Sequence, residues 1–180
     1  MDLLRLYYTT NLGTMVDEGV FDAYFIITLI IGLIFRMFLL SIAYYAMFVA
    51  IRQFTGGYHA DSYFKCNLTF AIVTFFVFGL TKMAVYSKTY IMPNHILSLV
   101  LSLIIIWYYS PIENKNKPLD QEQKKRNKKI SVALTLTISI LSCTVYIFSV
   151  QSSALMAFTQ LAIAVLIVIT KMEIGGEKDE

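Results

Sequence analysis

The chain is short of charge, and some of its stretches have none. Only 15% of its 180 residues are charged, whereas 57% are hydrophobic and the mean hydropathy is +0.64. A soluble domain usually carries about a quarter charged residues. Residues 130–170 contain no charged residue, no proline and no glycine. That run is about twice the length that one membrane-spanning helix needs. The sequence therefore predicts an integral membrane protein and excludes an ordinary soluble domain.

Cysteine is equally scarce, which excludes a disulfide framework. Cys66 lies in a polar segment and Cys143 within an apolar one, so we expect both to be reduced thiols. Zinc takes three or four protein ligands, and only His59 and Cys66 lie close together in the sequence. We therefore expect no metal and no other cofactor, and no feature indicates a nucleic-acid partner.

The amino-terminal segment, residues 1–20, also lacks the features of a cleavable signal peptide. It has no basic start, no apolar centre and no small-residue cleavage site. Leucines and tyrosines cluster within residues 1–12, which predicts a short helix lying in the membrane interface.

The apolar regions that are present predict an all-α, polytopic membrane helical bundle, formed as one domain over residues 1–180. Residues 21–51 would make a helix of about 46 Å, too long for one span, so we expect two helices broken near Gly32 or Arg36. Residues 68–86 and the short stretch 96–109 follow. Residues 130–170 predict a helical hairpin that turns near Gln151. The total is about six membrane helices, two of them short or half-embedded.

Lysine and arginine set the expected orientation. Residues 110–129 form a basic loop, which the positive-inside rule places in the cytoplasm. Counting spans from there, the polar segment 52–67 and the tail 171–180 are cytoplasmic as well. Topology together with attraction to anionic membrane lipids accounts for the basic loop, and recruitment of an acidic substrate segment is the alternative.

The polar segment combines a thiol with an imidazole, the minimal equipment for cysteine nucleophilic catalysis. On one continuous helix His59 and Cys66 would lie about 10.5 Å apart along the axis, beyond hydrogen-bond reach. A catalytic pair therefore needs a break between them. Gly56 and Gly57 can end the preceding helix, and Asp61 can cap the next one. The alternatives are an ordinary apolar cysteine and a surface histidine, and spacing alone leaves both open.

Two segments resemble the accessory gene regulator B (AgrB) family. The first is Arg52, then Gly56-Gly57-Tyr58-His59-Ala60, then Cys66; the second is the supportive stretch 109–118, Tyr-Ser-Pro-Ile-Glu-Asn-Lys-Asn-Lys-Pro. The order of hydrophobic segments and the chain length are also similar to the family's. The resemblance implies a membrane thiol endopeptidase of Gram-positive quorum sensing, multi-pass in the cell membrane, with its active site on the cytoplasmic side.

The resemblance also implies a substrate, an AgrD-type precursor peptide that the enzyme cleaves and closes into a thiolactone or lactone ring. Cys66 and His59 would be catalytic. Arg52, Gly56, Gly57 and Asp61 would bind substrate or organise the site. A homodimer is a further expectation from the family. One alternative function is a small transporter or peptide exporter, which the intramembrane charges Arg36 and Lys82 would favour. Another is a membrane scaffold without catalytic activity.

Overall fold

A computed structural model describes residues 18–56, 63–86, 92–112 and 119–176 of the chain, the side chains of 18–22, 63 and 173–176 excepted. Within these ranges it contains six helices and no strand: α1 (Glu18–Ile34), α2 (Phe38–Thr55), α3 (Tyr63–Tyr86), α4 (Met92–Tyr109), α5 (Gln121–Tyr146) and α6 (Val150–Gly176). Helices α2 to α6 are long and apolar enough to cross a membrane, and α1 has a shorter apolar stretch, Ala23–Ile34. The predicted all-α membrane bundle is confirmed. The predicted interfacial helix at 1–12 lies outside the described residues.

Helices α1 and α2 form a tight hairpin, with Arg36 in the connection at a φ of 56°. Gly32 lets the two helices approach closely, because a Cβ at this position would lie only 2.5 Å from Cβ of Ser41. Arg36 is exposed at the turn. The predicted break between two helices near Gly32 or Arg36 is therefore found at Arg36.

Helix α6 is the centre of the bundle. In its apolar stretch 67% of the residues are buried, compared with 22% to 33% in the other four long helices. It packs against α2, α3, α4 and α5, whereas α1 packs against α2 and α3. Alanines at 154, 157 and 164 are fully buried on α6, and such small side chains let neighbouring helices come close.

Helix α5 begins earlier than the sequence suggested. Asp120 and Gln123 form a capping box, so residues 121–129, which we expected in the basic loop, are the first turns of α5. The following turn lies at 147–149 rather than near Gln151. Ser149 caps α6 by accepting a hydrogen bond of 3.2 Å from the backbone N–H of Ser152. At the other end, α6 extends to Gly176, into the stretch that we expected to be a tail.

Small hydroxyl side chains line the buried face of α5, at Ser131, Thr135, Ser139 and Ser142. Each contacts a polar partner: Ser131 bonds to Ser110 at 3.0 Å, and Ser139 donates to Gln160 Oε1 at 3.0 Å. These bonds connect α5 to the residues just after α4 and to α6. The side chains are also short enough to permit close helix packing.

Candidate functional site

Cys66 lies in the first turn of α3, and its side chain is half-buried. Its sulfur is 2.6 Å from the hydroxyl oxygen of Tyr24, which comes from the first half of α1. Either group can act as the donor in this hydrogen bond. The sequence predicted a cysteine near the start of a helix, and that position is where the structure places it. The positive end of a helix dipole favours the thiolate, which is the nucleophilic form of cysteine.

An aromatic cluster, Tyr24, Phe48 and Phe70, fixes the groups around the thiol. The Tyr24 ring stacks on Phe70 with centroids 4.2 Å apart and an interplanar angle of 18°. Phe70 is four residues after Cys66 and therefore on the same face of α3. Phe48 of α2 meets Phe70 edge to face at 5.1 Å. Three helices thus converge on rings whose packing determines where the tyrosine hydroxyl lies.

Arg52 brings a positive charge to the same end of the bundle. It follows Phe48 by one helical turn, and its guanidinium carbon lies 5.7 Å from the centroid of that ring, within cation–π range. Its side chain is half-buried, and its charge interacts with Cys66 and Tyr24. The arginine that the first motif singled out is therefore near enough to Cys66 for the two charges to interact.

Gly56 joins the two segments that carry the family resemblance. It has a φ of 68° and forms an isolated parallel bridge with Ile112, whose backbone N–H donates to the carbonyl of Thr55 at 2.9 Å. A Cβ on Gly56 would lie 2.2 Å from the carbonyl oxygen of Ile112. Both the dihedral angle and the close approach require glycine here. Ser110, two residues before Ile112, is held in turn by Ser131.

The structure brings Cys66, Arg52 and Gly56 to one end of the bundle. His59, Gly57 and Asp61 belong to residues 57–62, outside the described ranges, so their predicted roles stay predictions. The described residues on either side of that segment, Gly56 at the end of α2 and the first turn of α3, both belong to the end of the bundle that holds Cys66.

Two neighbours of the thiol were missed by the sequence reasoning. Tyr24 is 42 residues before Cys66 and on another helix, so no local pattern indicates the contact. Asn67 follows Cys66 directly, and its Oδ1 atom is buried without a hydrogen-bond partner among the described residues. A buried acceptor left unpaired costs about 1–3 kcal/mol.

A second polar cluster lies at the opposite end of the bundle. Nε2 of His95 is 3.1 Å from Oγ of Ser153 and 3.3 Å from Oγ of Ser142. The two serines also donate to each other's backbone carbonyls, and all three side chains are fully buried. This His95 cluster therefore joins α4, α5 and α6, and none of its three side chains is exposed in the part of the chain that the structure describes. Within the described ranges, no three His, Cys, Asp or Glu residues are grouped so that they could hold a metal ion.

The fold and the site define a multi-pass helical membrane protein with a half-buried thiol at one end of its bundle. The sequence profile of the family Accessory gene regulator B matches residues 23–172, which include every helix that meets at this thiol. The chain belongs to the accessory gene regulator B family, and this membership connects it with the accessory gene regulator system of quorum sensing.

Two curated relatives come from Clostridium perfringens. The chain is 30% identical over 96 residues to the "Putative AgrB-like protein" of strain SM101 / Type A, and 29% identical over 97 residues to the "Putative AgrB-like protein 2" of strain 13 / Type A. Each match covers 52% of this chain and 45% of the relative, so the chain spans about half the length of these relatives. No solved structure matches the chain significantly.

Proposed function

We propose that this chain is a membrane cysteine endopeptidase that matures a peptide pheromone. It cleaves the carboxy-terminal part from an AgrD-type precursor through a thioester on Cys66, and then closes the remainder into a thiolactone or lactone. The observation that carries the proposal is the thiol itself. Cys66 is half-buried at the start of α3, in contact with a hydroxyl and near the charge of Arg52. Family membership supplies the class of substrate.

The chemistry follows from the groups at that end of the bundle. His59 accepts the proton of Cys66, the thiolate attacks the scissile carbonyl, and His59 returns the proton to the leaving amine. Arg52 binds a carboxylate of the precursor or stabilises the negative charge that develops on the carbonyl oxygen.

Ring closure requires that the substrate's own thiol or hydroxyl reach the thioester before water does. A tethered nucleophile has a high effective concentration, and exclusion of water removes its competitor. The aromatic cluster supports this outcome, because Phe48 and Phe70 present apolar rings beside Cys66. The thioester carbonyl would thus be poorly hydrated while the peptide folds back on itself.

The basic turns of α5 favour an acidic partner. Lysines and arginines on residues 124–129 lie just before Ser131, whose contact with Ser110 places them at the Cys66 end. A surface pocket of about 530 Å³ is lined by Lys125, Arg126, Lys129 and the acidic side chains of Asp120 and Glu122. We assign this surface to the acidic carboxy-terminal segment of the precursor, and the positive-inside rule leads us to expect it, with the thiol, at the cytoplasmic face.

The test is to co-express the chain with a candidate precursor and to identify products by mass. We expect a ring-closed peptide from the unsubstituted chain and none from Cys66→Ala or His59→Ala, with all three proteins present at equal levels in the membrane. Complete processing by Cys66→Ala would overturn the proposal, because no thioester could then form.

The exporter alternative loses the observations that favoured it. Arg36 is exposed in the connection between α1 and α2, and Lys82 lies one turn from the end of α3. Both charges are therefore at the end of the bundle opposite Cys66 and not along its middle, where charges that line a transport pathway would be expected.

A further inference from the structure

We propose that Tyr24 is a further catalytic residue, whose hydroxyl donates a hydrogen bond to the sulfur of Cys66 and stabilises the thiolate. This inference rests on the proposed function, because it concerns the same nucleophile. It assigns a role to a residue outside both motifs and on a helix that the motifs do not include. The observation behind it is the distance of 2.6 Å between the tyrosine oxygen and Sγ of Cys66.

The hydroxyl reaches the sulfur because the tyrosine ring has little freedom. Its face is stacked on Phe70, which Phe48 supports edge-on from α2. Phe70 and Cys66 are one helical turn apart on α3, so the stacked ring runs alongside the turn that carries the thiol. A tyrosine fixed by packing loses little conformational entropy when its hydroxyl forms a further hydrogen bond.

The direction of the hydrogen bond follows from the chemistry of the reaction. Tyrosine O–H and cysteine S–H can each donate while both are protonated. Once the Cys66 proton has moved to His59, the sulfur has none to donate, so Tyr24 must be the donor. A hydrogen bond to an ionised acceptor is roughly twice as strong as one between neutral groups. Tyr24 keeps its own proton throughout.

The hydrogen bond is of use at two steps. In the first, the sulfur–carbon bond forms and the carbon–nitrogen bond breaks as His59 protonates the amine. In the second, the substrate's thiol or hydroxyl loses its proton to His59 and attacks the thioester, so that the bond from carbon to Sγ of Cys66 breaks and the thiolate leaves. The sulfur of the thioester is a weak hydrogen-bond acceptor. Tyr24 therefore favours both the thiolate that precedes the thioester and the thiolate that leaves when the thioester breaks.

The variant Tyr24→Phe removes the hydroxyl and keeps the ring. We would prepare it in a Cys143→Ala background, in lipid nanodiscs, and measure iodoacetamide alkylation of Cys66 at pH 7 and pH 10. We expect the rate at pH 7 to fall about tenfold, the loss that corresponds to one charge-assisted hydrogen bond. Because an ordinary cysteine thiol is mostly ionised at pH 10, the alkylation rates of the two proteins should agree within twofold there. Precursor processing should fall at least tenfold.

Tyr44→Phe is the matched control. Tyr44 contacts Phe48 and Phe70, but its hydroxyl bonds to Thr74 at 3.0 Å and not to Cys66. It should leave alkylation at pH 7 unchanged. Equal rates at pH 7 for Tyr24→Phe and its parent would overturn the inference, as would an equal loss at both pH values, which indicates altered access.

The two proposals fail in different ways. If Cys66→Ala processes the precursor, the proposed function fails, whatever the alkylation rates show. If processing needs Cys66 but Tyr24→Phe processes at the parent rate, only the role of Tyr24 in the reaction fails.

Discussion

At each end of the bundle a serine or cysteine side chain lies against a hydrogen-bonding partner. The two ends differ in how exposed that side chain is. His95 contacts Ser142 and Ser153 at distances that a serine hydrolase uses, but all three side chains are fully buried. Cys66 is half-buried beside Tyr24. Hydrogen-bond geometry alone would rank the His95 cluster as the better catalytic pair. Access is what distinguishes the proposed catalytic site from a structural contact here.

The side chains at the two ends explain the difference. Serines let α4, α5 and α6 approach closely, so the polar groups of the His95 cluster satisfy one another. Large rings from α1, α2 and α3 meet at the Cys66 end, and they leave the thiol and the Arg52 side chain partly uncovered. A buried acceptor on Asn67 also has no partner within the described ranges.

The largest expected effect concerns access to the two ends. A chain with its only cysteine at 66 (Cys143→Ala) should react with a water-soluble maleimide at least a hundredfold faster than a chain with its only cysteine at 153. The second chain carries Ser153→Cys with Cys66→Ala and Cys143→Ala. The reason is that position 153 is fully buried, so labelling requires local opening of the bundle. Comparable labelling rates would remove the distinction between the ends.

Gly56→Ala should lower processing at least tenfold and reduce the melting temperature in detergent. The added Cβ meets the Ile112 carbonyl, and a left-handed backbone costs a residue with a side chain about 1–2 kcal/mol. Gly32→Ala is the matched control at the opposite end, since its Cβ would meet Ser41. It should also lower the melting temperature, but the folded molecules should process the precursor normally. Normal processing by Gly56→Ala would show that the bridge to Ile112 does not organise the site.

Charge reversal on α5 should lower the processing of an acidic-tailed precursor about tenfold, because the cluster of basic side chains within the described ranges lies at the Cys66 end. The five changes to Glu are at Lys124, Lys125, Arg126, Lys128 and Lys129. A precursor with a neutral tail, processed by the same variant, controls for folding and topology. Raising the salt concentration should weaken the native preference for the acidic tail. If topology holds and cleavage of the acidic-tailed precursor is unaffected, recruitment by charge is ruled out.

Ser153→Ala should lower the free energy of unfolding by about 1–3 kcal/mol and leave processing unchanged. The substitution removes the hydroxyl that contacts the buried ring of His95 and donates to the carbonyl of Ser142. Thermal melting in detergent measures the loss, and Ser152→Ala, at the partly buried start of α6, provides the comparison. A defect in processing without a loss of stability would mean that the His95 cluster takes part in catalysis.

The smallest expected effect is that of Asn67→Leu. Leucine is of similar size and removes the unpaired acceptor, so the folded protein should be no less stable. Thermal melting in detergent measures this, and a clear loss of stability would show that Oδ1 has a partner in the folded protein.

The sequence predicted the membrane bundle well, because absence of charge over residues 130–170 is a direct consequence of the solvent around those helices. It misplaced the turn of the hairpin. Polar residues at 151–153 suggested a loop, but Ser153 is polar for a different reason, namely its buried contact with His95. Composition cannot distinguish a hydroxyl that faces water from one that faces another helix.

The site was predictable only where its residues are neighbours in the sequence. Arg52, Gly56 and Cys66 are found at one end of the bundle, and spacing with family resemblance pointed to all three. Tyr24 could not be found in this way, because its contact with Cys66 depends on how α1 packs against α3. The bridge between Gly56 and Ile112 likewise depends on tertiary structure. Whether His59 reaches Cys66 stays a prediction.

The bridge between Gly56 and Ile112 also imposes an order on the assembly of the proposed site. Cys66 leaves the ribosome well before Ile112, and Ser131, which holds the Ile112 segment through Ser110, follows later still. At about 5–20 residues per second this interval lasts several seconds. During that time a nascent chain contains Cys66 but lacks the segment that contacts Gly56. The proposed site is therefore completed only after most of the described helices have been synthesised.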